Sequence, residues 1–462
     1  MNAAIASFET RPCTDDDAAL PPSLLARYGR PVPRYTSYPT AVQFGPLRPG
    51  TYAAWLAAVP AEEAVSLYLH VPYCAALCWY CGCRTQATRN HRERVSVYVD
   101  DLIAEIDLVA AALGRRQPVA AVHFGGGTPN LLSLNDLERL LDHLRLRFAI
   151  ADDAELAMEI DPRELGAEYA DALGRAGFRR ISLGIQDFDA EVQRLIHREQ
   201  PYPLVEQSVE WLRAAGVEGI NFDLIYGLPG QTEESVRETL RLVSALRPDR
   251  IALYGYAHLP QRQRHQRLIP EDRLPDAALR HRLQRLAQDE LAAQGYVAVG
   301  MDHFALPHDR LVHARVRNFQ GYSTDTARTL VGLGASAIGQ FAQGYAQNQP
   351  ATALWRDAVR NGSLPTARGL ATTADDVARR AVIERLMCDL EAPLEAIARE
   401  HGFEAGALIE DPQLIADLVR DGLAWIADGR IGCTPRGRSL VRTLCSAFDR
   451  YAHGGARHAP AV

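Results

Sequence analysis

Tyr68-Leu-His-Val-Pro-Tyr-Cys-Ala-Ala-Leu-Cys-Trp-Tyr-Cys-Gly-Cys83 decides how the rest of the chain is read. A short apolar run is followed at once by Cys74, Cys78 and Cys81 in a C-x3-C-x2-C spacing, with Cys83 just beyond. Half of the eight cysteines therefore sit in one loop. A loop of this length can turn several sulfurs toward one metal centre without strain. Three thiolates on a cubic iron–sulfur cluster would leave one iron without a protein ligand, able to hold a reacting molecule. A closed zinc site is the alternative, but such sites usually pair two short cysteine hooks across a long loop. A disulfide is disfavoured, since no signal peptide is read and clustered cysteines in a cytosolic chain point to metal or redox chemistry. Cys13, Cys388, Cys433 and Cys445 are scattered and read as ordinary thiols.

At 462 residues the chain exceeds the size at which one core stops growing, so a large domain plus a smaller one is expected. With 47% hydrophobic and 23% charged residues it reads as soluble and globular. No apolar run approaches the roughly 20 residues that span a bilayer. The net charge is −7 and there is no lysine, so every one of the 50 basic residues is arginine. This argues against a polybasic nucleic-acid or lipid surface. It also makes an isolated arginine uninformative, although arginine is the usual carboxylate receptor.

From Ser66 the chain repeats. Leu67–Val71 has strand length, and Val95, Val99, Leu102, Ile106, Val109 and Leu113 recur at helical spacing. Val119–Phe124 is the next strand, and its helix opens at Ser133 with Asp136 three residues on, a capping arrangement, before Leu134, Leu137, Leu141 and Leu144. Further strands are expected at Glu155–Ile160, Arg180–Gln186, Gly219–Tyr226 and Arg250–Tyr256, separated by helical stretches. Such alternation implies right-handed crossovers and a parallel sheet. Tyr68, His70, Gly125-Gly-Gly127, Glu159, Asp161, Gln186, Asp223 and Tyr256 all fall at or just past strand ends on the carboxyl side. They converge only if the sheet curls around one mouth. The expected fold is α/β, an incomplete (β/α) barrel with the cysteine loop at its rim.

Around this barrel the reading is coarser. Residues 1 to about 30 read as a mobile arm, and Arg34-Tyr-Thr-Ser-Tyr-Pro-Thr40 is too polar for a core strand, with a surface loop as its plain reading. A long helix is expected from about 275 to 294 and a strand at Tyr296–Phe304. The small-residue run Leu333–Ile338 lets backbone approach a ligand or another element closely. Arg360–Gly369 reads as a linker. Beyond it come two or three helices and a hairpin at Leu423–Cys433 turning on Asp428-Gly429, which suggests a mostly helical, winged-helix-like module. No concentrated basic recognition helix accompanies it, so nucleic-acid binding is not expected. The divisions are 1–60, 61–365 and 366–462.

Gly125-Gly-Gly-Thr-Pro129 matches neither a dinucleotide fingerprint nor a P-loop. Its bare backbone, amides and carbonyls alike, is expected to touch a bound molecule directly. Glu159 ends an apolar strand, where a carboxylate calls for a cationic or hydroxyl partner.

The cysteine spacing resembles that of the radical S-adenosylmethionine superfamily. Further motifs narrow the resemblance: Arg34–Thr40, Cys81-Gly-Cys83, His123-Phe-Gly-Gly-Gly-Thr-Pro129, Glu159-Ile-Asp-Pro-Arg163, Gly184-Ile-Gln-Asp-Phe188, Asn221–Pro229, Tyr256-Ala-His-Leu-Pro260, Gly300-Met-Asp-His-Phe304 and Arg317-Asn-Phe-Gln-Gly-Tyr322. Together, from about residue 31 to 451, they resemble the oxygen-independent coproporphyrinogen III oxidase family.

The resemblance implies a 4Fe-4S cluster on Cys74, Cys78 and Cys81, with Cys83 nearby but not a ligand. It implies two S-adenosylmethionine molecules in one site. Tyr68, Gly126, Glu159 and Ile338 would contact the first, and Tyr80, Gly127, Thr128, Gln186, Arg198, Asp223 and Ala257 the second. Tyr68, His70 and Glu159 would stand at the reacting centre.

The implied reaction is removal of a hydrogen from a propionate β-carbon by a 5′-deoxyadenosyl radical, then loss of an electron and carbon dioxide. Two rounds would turn coproporphyrinogen III into protoporphyrinogen IX in haem biosynthesis. The implied partners are an electron-donating redox protein such as a flavodoxin or ferredoxin and an unnamed electron acceptor. The enzyme is expected to be a cytoplasmic monomer bound to neither nucleic acid nor membrane. Such a radical needs a closed mouth, and the Tyr35 arm and C-terminal module are the expected covers. Arg262–Arg267 is the expected partner of the propionates. The competing readings are a haem-binding chaperone of the same superfamily and a radical enzyme acting on another tetrapyrrole. The chaperone branch lacks the Arg34–Thr40 arm, Cys83 and the Arg317–Tyr322 motif, all of which are present here.

Overall fold

The computed structural model describes residues 20–88, 91–313, 316–319 and 321–452. The start of the expected arm with Cys13, and Gln320 of the Arg317–Tyr322 motif, lie outside them.

Six strands follow the predicted rhythm: β1 Val65–Val71, β2 Pro118–Gly126, β3 Ala149–Ile160, β4 Phe178–Gln186, β5 Gly219–Tyr226 and β6 Arg250–Gly255. Each pairs in parallel with the next. All but Tyr68 of β1 is buried, as for a parallel strand covered on both faces. The helix His91–Leu113 covers the sheet through the predicted Val95, Val99, Leu102, Ile106, Val109 and Leu113, all buried. The following helix, Leu134–Arg147, starts as its cap predicts, with the Asp136 amide donating to Ser133 Oγ at 3.1 Å. Leu140 joins Leu137, Leu141 and Leu144 on its buried face, while Leu134 is only half-buried.

The large sheet continues beyond the six. On one side run β7 Val297–Val299 and β8 His303–Ala305; on the other, β9 Leu330–Leu333, β10 Ile338–Phe341, β11 Gly344–Asn348 and β12 Thr366–Ala371. The order is β12-β11-β10-β9-β1-β2-β3-β4-β5-β6-β8-β7. No pairing joins β12 to β7 among the described residues, so the ring is incomplete. It is nonetheless curled, because Ser66 of β1, Tyr254 of β6 and His303 of β8 line one interior hollow.

Four expectations are corrected. The expected strand at Tyr296–Phe304 is a hairpin of β7 and β8, turned at Gly300 with φ +55°. The expected linker 360–369 contains most of β12, whose Arg368 and Gly369 pair with Gln347 and Ala346 of β11. Its Gly369 marks tight approach to Tyr345 of the neighbouring strand rather than slack chain. The arm near residue 30 is not loose: Pro22–Tyr28 is helical, with Leu25 and Tyr28 buried. Nor is Arg34–Thr40 a surface loop, since Tyr35, Ser37 and Tyr38 are buried.

A second core explains the last two. Leu20, Leu25, Tyr28, Val32, Tyr35 and Tyr38 pack with apolar residues of 378–448. Polar contacts tie the same pieces: Tyr35 Oη donates to Asp449 at 3.1 Å, Tyr28 Oη to Asp421 at 2.6 Å, and Arg27 pairs with Asp417 at 2.9 Å. The C-terminal part has the helices Ala374–Asp389, Leu394–Glu400 and Pro412–Arg420 and the predicted hairpin Ala424–Ala427/Arg430–Cys433. Asp428 and Gly429 both take positive φ at its turn, as a two-residue hairpin loop requires. Glu391–Ala392 adds a third strand.

Candidate active site

The carboxyl ends of β2 to β6 open onto a cavity of about 450 Å³. The cysteine loop forms one wall, with Cys74, Cys78, Cys81 and Cys83 all on the lining. The loop is held from two sides. On one, the Trp79 amide donates to the Ile196 carbonyl at 2.9 Å, His197 Nδ1 donates to the Leu77 carbonyl at 3.0 Å, and the Trp79 and His197 rings stack. On the other, three side chains of the 263–266 turn grip loop carbonyls. Gln263 reaches Gly82 at 3.0 Å, His265 reaches Cys81 at 2.7 Å and Gln266 reaches Tyr80 at 2.9 Å. This overturns the expectation for Arg262–Arg267. Arg262, Arg264 and Arg267 are exposed and none lines the cavity; the residues between them do the holding.

The thiols suit a cluster. All seven described cysteines are free. No group of three or more ligating side chains close enough for a single metal ion occurs among the described residues. A cubic cluster is wider than one ion, and sulfurs spread over one wall fit its corners. Cys78 Sγ receives Arg198 at 3.5 Å and Arg163 at 3.7 Å, and Cys81 Sγ receives the Cys83 amide at 3.4 Å. The Cys83 side chain, with its amide and Arg198, outweighs burial and draws the Cys81 thiol down to about 7. The donors around Cys81 favour the thiolate that iron requires, whereas burial pushes the Cys74 thiol up.

Behind this wall the glycine run is shaped by the protein itself. A Cβ on Gly126, which has φ +117°, would lie 2.7 Å from the His70 ring, and one on Gly127 would lie 2.6 Å from the Tyr73 carbonyl oxygen. The expectation that amides of this run serve a ligand is corrected. Gly126 N–H donates to Glu159 at 3.0 Å, and those of Gly127 and Thr128 donate to Val71 and Tyr73 at 2.8 Å. The run offers close access rather than N–H donors.

Glu159 lies between Gly126 and His123, whose Nε2 is 3.3 Å away. Burial opposes its charge, but these two partners hold it below the ordinary glutamate range. Asp223 is in the opposite state. Burial first, then the Glu159 charge, push it up to about 7 despite hydrogen bonds from Ser182 and Asn221, each 2.9 Å. Asp161 pairs with Arg163 at 2.6 Å and Arg198 at 3.2 Å. Under Arg198, then Arg163, it falls to about 2 although burial works against it. The cavity thus holds one firmly ionised carboxylate, a paired one, and one that gains a proton near neutrality.

Among the residues predicted for the site, Tyr80, Gly126, Gly127, Thr128, Glu159, Gln186, Arg198, Asp223 and Ala257 line the cavity. Gln186 does so with φ +66°, a conformation unusual for a residue with a side chain. Tyr68 and His70 do not line it but stand just behind. Tyr68 Oη donates to His70 Nδ1 at 3.1 Å, and His70 Nε2 donates to the Arg84 carbonyl at 3.0 Å. Burial lowers the His70 pKa and raises that of Tyr68, so this pair stays neutral. Ile338, on the strand after the small-residue turn, is not on the lining. That turn is packed against the protein: the Gly334 amide donates to Glu105 at 2.6 Å. Arg34, Arg163, Tyr254 and Gln266 were not predicted yet line the cavity. The glutamines alternating with arginines at 261–266 were the only sequence signal for the last.

A partial barrel whose cysteine loop overhangs a cavity between strand ends defines the radical S-adenosylmethionine class. Comparisons agree: the Radical SAM superfamily matches residues 68–243, and the HemN C-terminal domain matches residues 372–440. The chain is 43% identical over 447 residues to the oxygen-independent coproporphyrinogen III oxidase of Bradyrhizobium diazoefficiens, spanning 95% of this chain and 99% of that one. It is 42% identical to the enzyme of that name from Pseudomonas aeruginosa, over 93% and 95% of the two chains. The solved coproporphyrinogen III oxidase (HemN) from Escherichia coli superposes with a TM-score of 0.87 at 37% identity, covering 96% of this chain and all of that one. The chain belongs to the oxygen-independent coproporphyrinogen III oxidase family.

Proposed function

We infer that the protein converts two propionate side chains of coproporphyrinogen III to vinyl groups, giving protoporphyrinogen IX in anaerobic haem biosynthesis. The observation that carries this reading is joint. The cysteine wall and the strand-end carboxylates share one cavity, in a chain matched along nearly its whole length by enzymes of that name. When bound, a 4Fe-4S cluster and S-adenosylmethionine supply the one-electron chemistry that removes a hydrogen atom from unactivated carbon.

The chain's own part is placement. Cys74, Cys78 and Cys81 would hold the cluster, with Arg163 and Arg198 offsetting the sulfur charge. Glu159 is ionised and suits a ribose or ammonium group. Asp223, poised near neutrality, can accept or donate to a second nucleoside. Two cofactor molecules in one site are supported by Gly126 and Glu159, expected for the first, lining one cavity with all seven residues expected for the second. Tyr68 and His70, locked as a neutral pair, present no competing acid or base beneath Glu159. Each conversion removes a hydrogen atom, an electron and carbon dioxide, so the electron leaves to an acceptor outside the chain. Exposed Gly82, Cys83 and Arg84 beside the cysteine loop support delivery of the first electron by a small redox protein such as a flavodoxin or ferredoxin. No helix among the described residues is long and apolar enough to cross a membrane, and free thiols suit a reducing cytoplasm.

The test is anaerobic. The reconstituted protein, dithionite, S-adenosylmethionine, coproporphyrinogen III and cell extract as electron acceptor should yield protoporphyrinogen IX by mass. Cofactor cleavage without a vinyl product would leave the class intact and remove the substrate.

A further inference from the structure

The arm and the paired strands Val316–Asn318 and Gly321–Ser323 bring more positive charge to one place than the chemistry above uses. Arg34 lines the cluster cavity and donates to the Gly255 carbonyl at 2.6 Å, its guanidinium 6.0 Å from the Tyr254 ring. Arg317 donates to the Arg34 carbonyl at 3.3 Å and lies over the Tyr322 ring at 4.4 Å. Arg280 donates to the Tyr256 carbonyl at 3.0 Å, at the end of the same strand. The acid facing them is Asp302, 3.7 Å from Arg317 and already hydrogen-bonded to His303 at 2.8 Å.

The charges do not balance. Burial, then repulsion from Arg34, draws buried Arg442 down to about 10. The Arg317 side chain is 3% exposed, yet its Nε has no hydrogen-bond partner among the described residues and its Nη1 faces the Asp302 carboxylate only at 3.7 Å, beyond hydrogen-bond reach. A buried guanidinium with open N–H groups is costly unless an anion completes it. The place of the pair gives that anion a route. Arg34 lines the cluster cavity, whereas Arg317 and the adjoining Tyr35 line a second cavity of about 420 Å³ walled by Tyr38, Phe341 and Tyr345.

Resting on the function proposed above, we propose that Arg34 and Arg317 form a carboxylate site that holds propionates of the tetrapyrrole where the two cavities adjoin. Planar, forked guanidinium groups suit carboxylates, and aromatic walls suit the macrocycle. The shared chemistry is a carboxylate, which S-adenosylmethionine also carries, so the test must separate the two.

The experiment uses reconstituted holoenzyme and the variants Arg34→Gln, Arg317→Gln and Arg317→Lys, with KM and kcat for coproporphyrinogen III and the Kd of S-adenosylmethionine measured for each. Losing a charge-assisted contact should raise the coproporphyrinogen KM about tenfold. The kcat should stay within about twofold and the cofactor Kd should not move. Arg317→Lys, which keeps the charge but not the fork, should lose less than Arg317→Gln. Arg34 is exposed, so Arg34→Gln carries the test if an Arg317 variant fails to fold. An unchanged tetrapyrrole KM in Arg34→Gln would overturn the proposal, as would a change confined to the cofactor Kd. A wild-type enzyme that makes no vinyl product would overturn the functional reading, and the site with it.

Discussion

The mouth of the barrel and the second core are built in opposite ways. At the mouth, the walls come from strand ends and the crossovers after them, each βα unit adding one piece in chain order, and Arg34 of the arm joins them. In the second core, residues near 30 meet residues near 440: Tyr35 reaches Asp449, and Thr443 donates to the Tyr28 carbonyl at 2.9 Å. The mouth therefore carries chemistry on a parallel frame. The second core depends on two segments some 400 residues apart finding one another. Substitutions at the mouth should change what the protein does, and those in the second core whether it stays folded.

Cys78→Ser gives the largest expected effect. Iron retained after reconstitution should fall and 5′-deoxyadenosine formation should be lost, while the apo-protein melts as the wild type does. A matching collapse of stability would erase the distinction between the regions. Phe448→Ala tests the other side. Phe448 is fully buried in the second core, and its removal should cost about 3–5 kcal/mol, read by chemical denaturation. Cofactor cleavage by the folded fraction should persist.

Asp223→Asn sharpens the comparison by pH. Because the folded pKa is raised, to about 7 from 3.8, the native protein holds this proton longer than the unfolded chain does. The group's contribution is therefore intact below pH 4 and lost as pH rises toward 7. The variant's melting temperature should gain on the wild type across that window, by the equivalent of roughly 3 kcal/mol. A gap that is flat with pH would show Asp223 to be ionised throughout. Tyr35→Phe gives the smallest effect. Losing the bond to Asp449 should cost about 1 kcal/mol in thermal unfolding and leave cofactor cleavage untouched.

The same contrast explains what was legible. The barrel could be read because burial on both faces makes its strands apolar runs, and each is followed by a helix of clear period. The site followed, since the polar residues ending those runs could only meet at one mouth. The second core could not be read. Pro22–Tyr28 is too short to display a helical period, and the burial of Tyr35 and Tyr38 depends on partners some 400 residues away. At β7 and β8 a single positive-φ glycine folds one apparent strand into two. At β12, Gly369 signals close approach to Tyr345 rather than a break. Arg317 belongs to the Arg317–Tyr322 motif, but in a chain whose every basic residue is arginine its type carries no signal. Only its burial sets it apart.

The most direct test of the account is isotopic. Coproporphyrinogen III carrying deuterium at the propionate β-carbons is incubated anaerobically with the reconstituted enzyme, dithionite, S-adenosylmethionine and cell extract as electron acceptor, and 5′-deoxyadenosine is analysed by mass. Deuterium appearing in 5′-deoxyadenosine as the vinyl product forms is the predicted result. Unlabelled 5′-deoxyadenosine alongside unchanged substrate would contradict it, and would show that this mouth cleaves its cofactor for another partner.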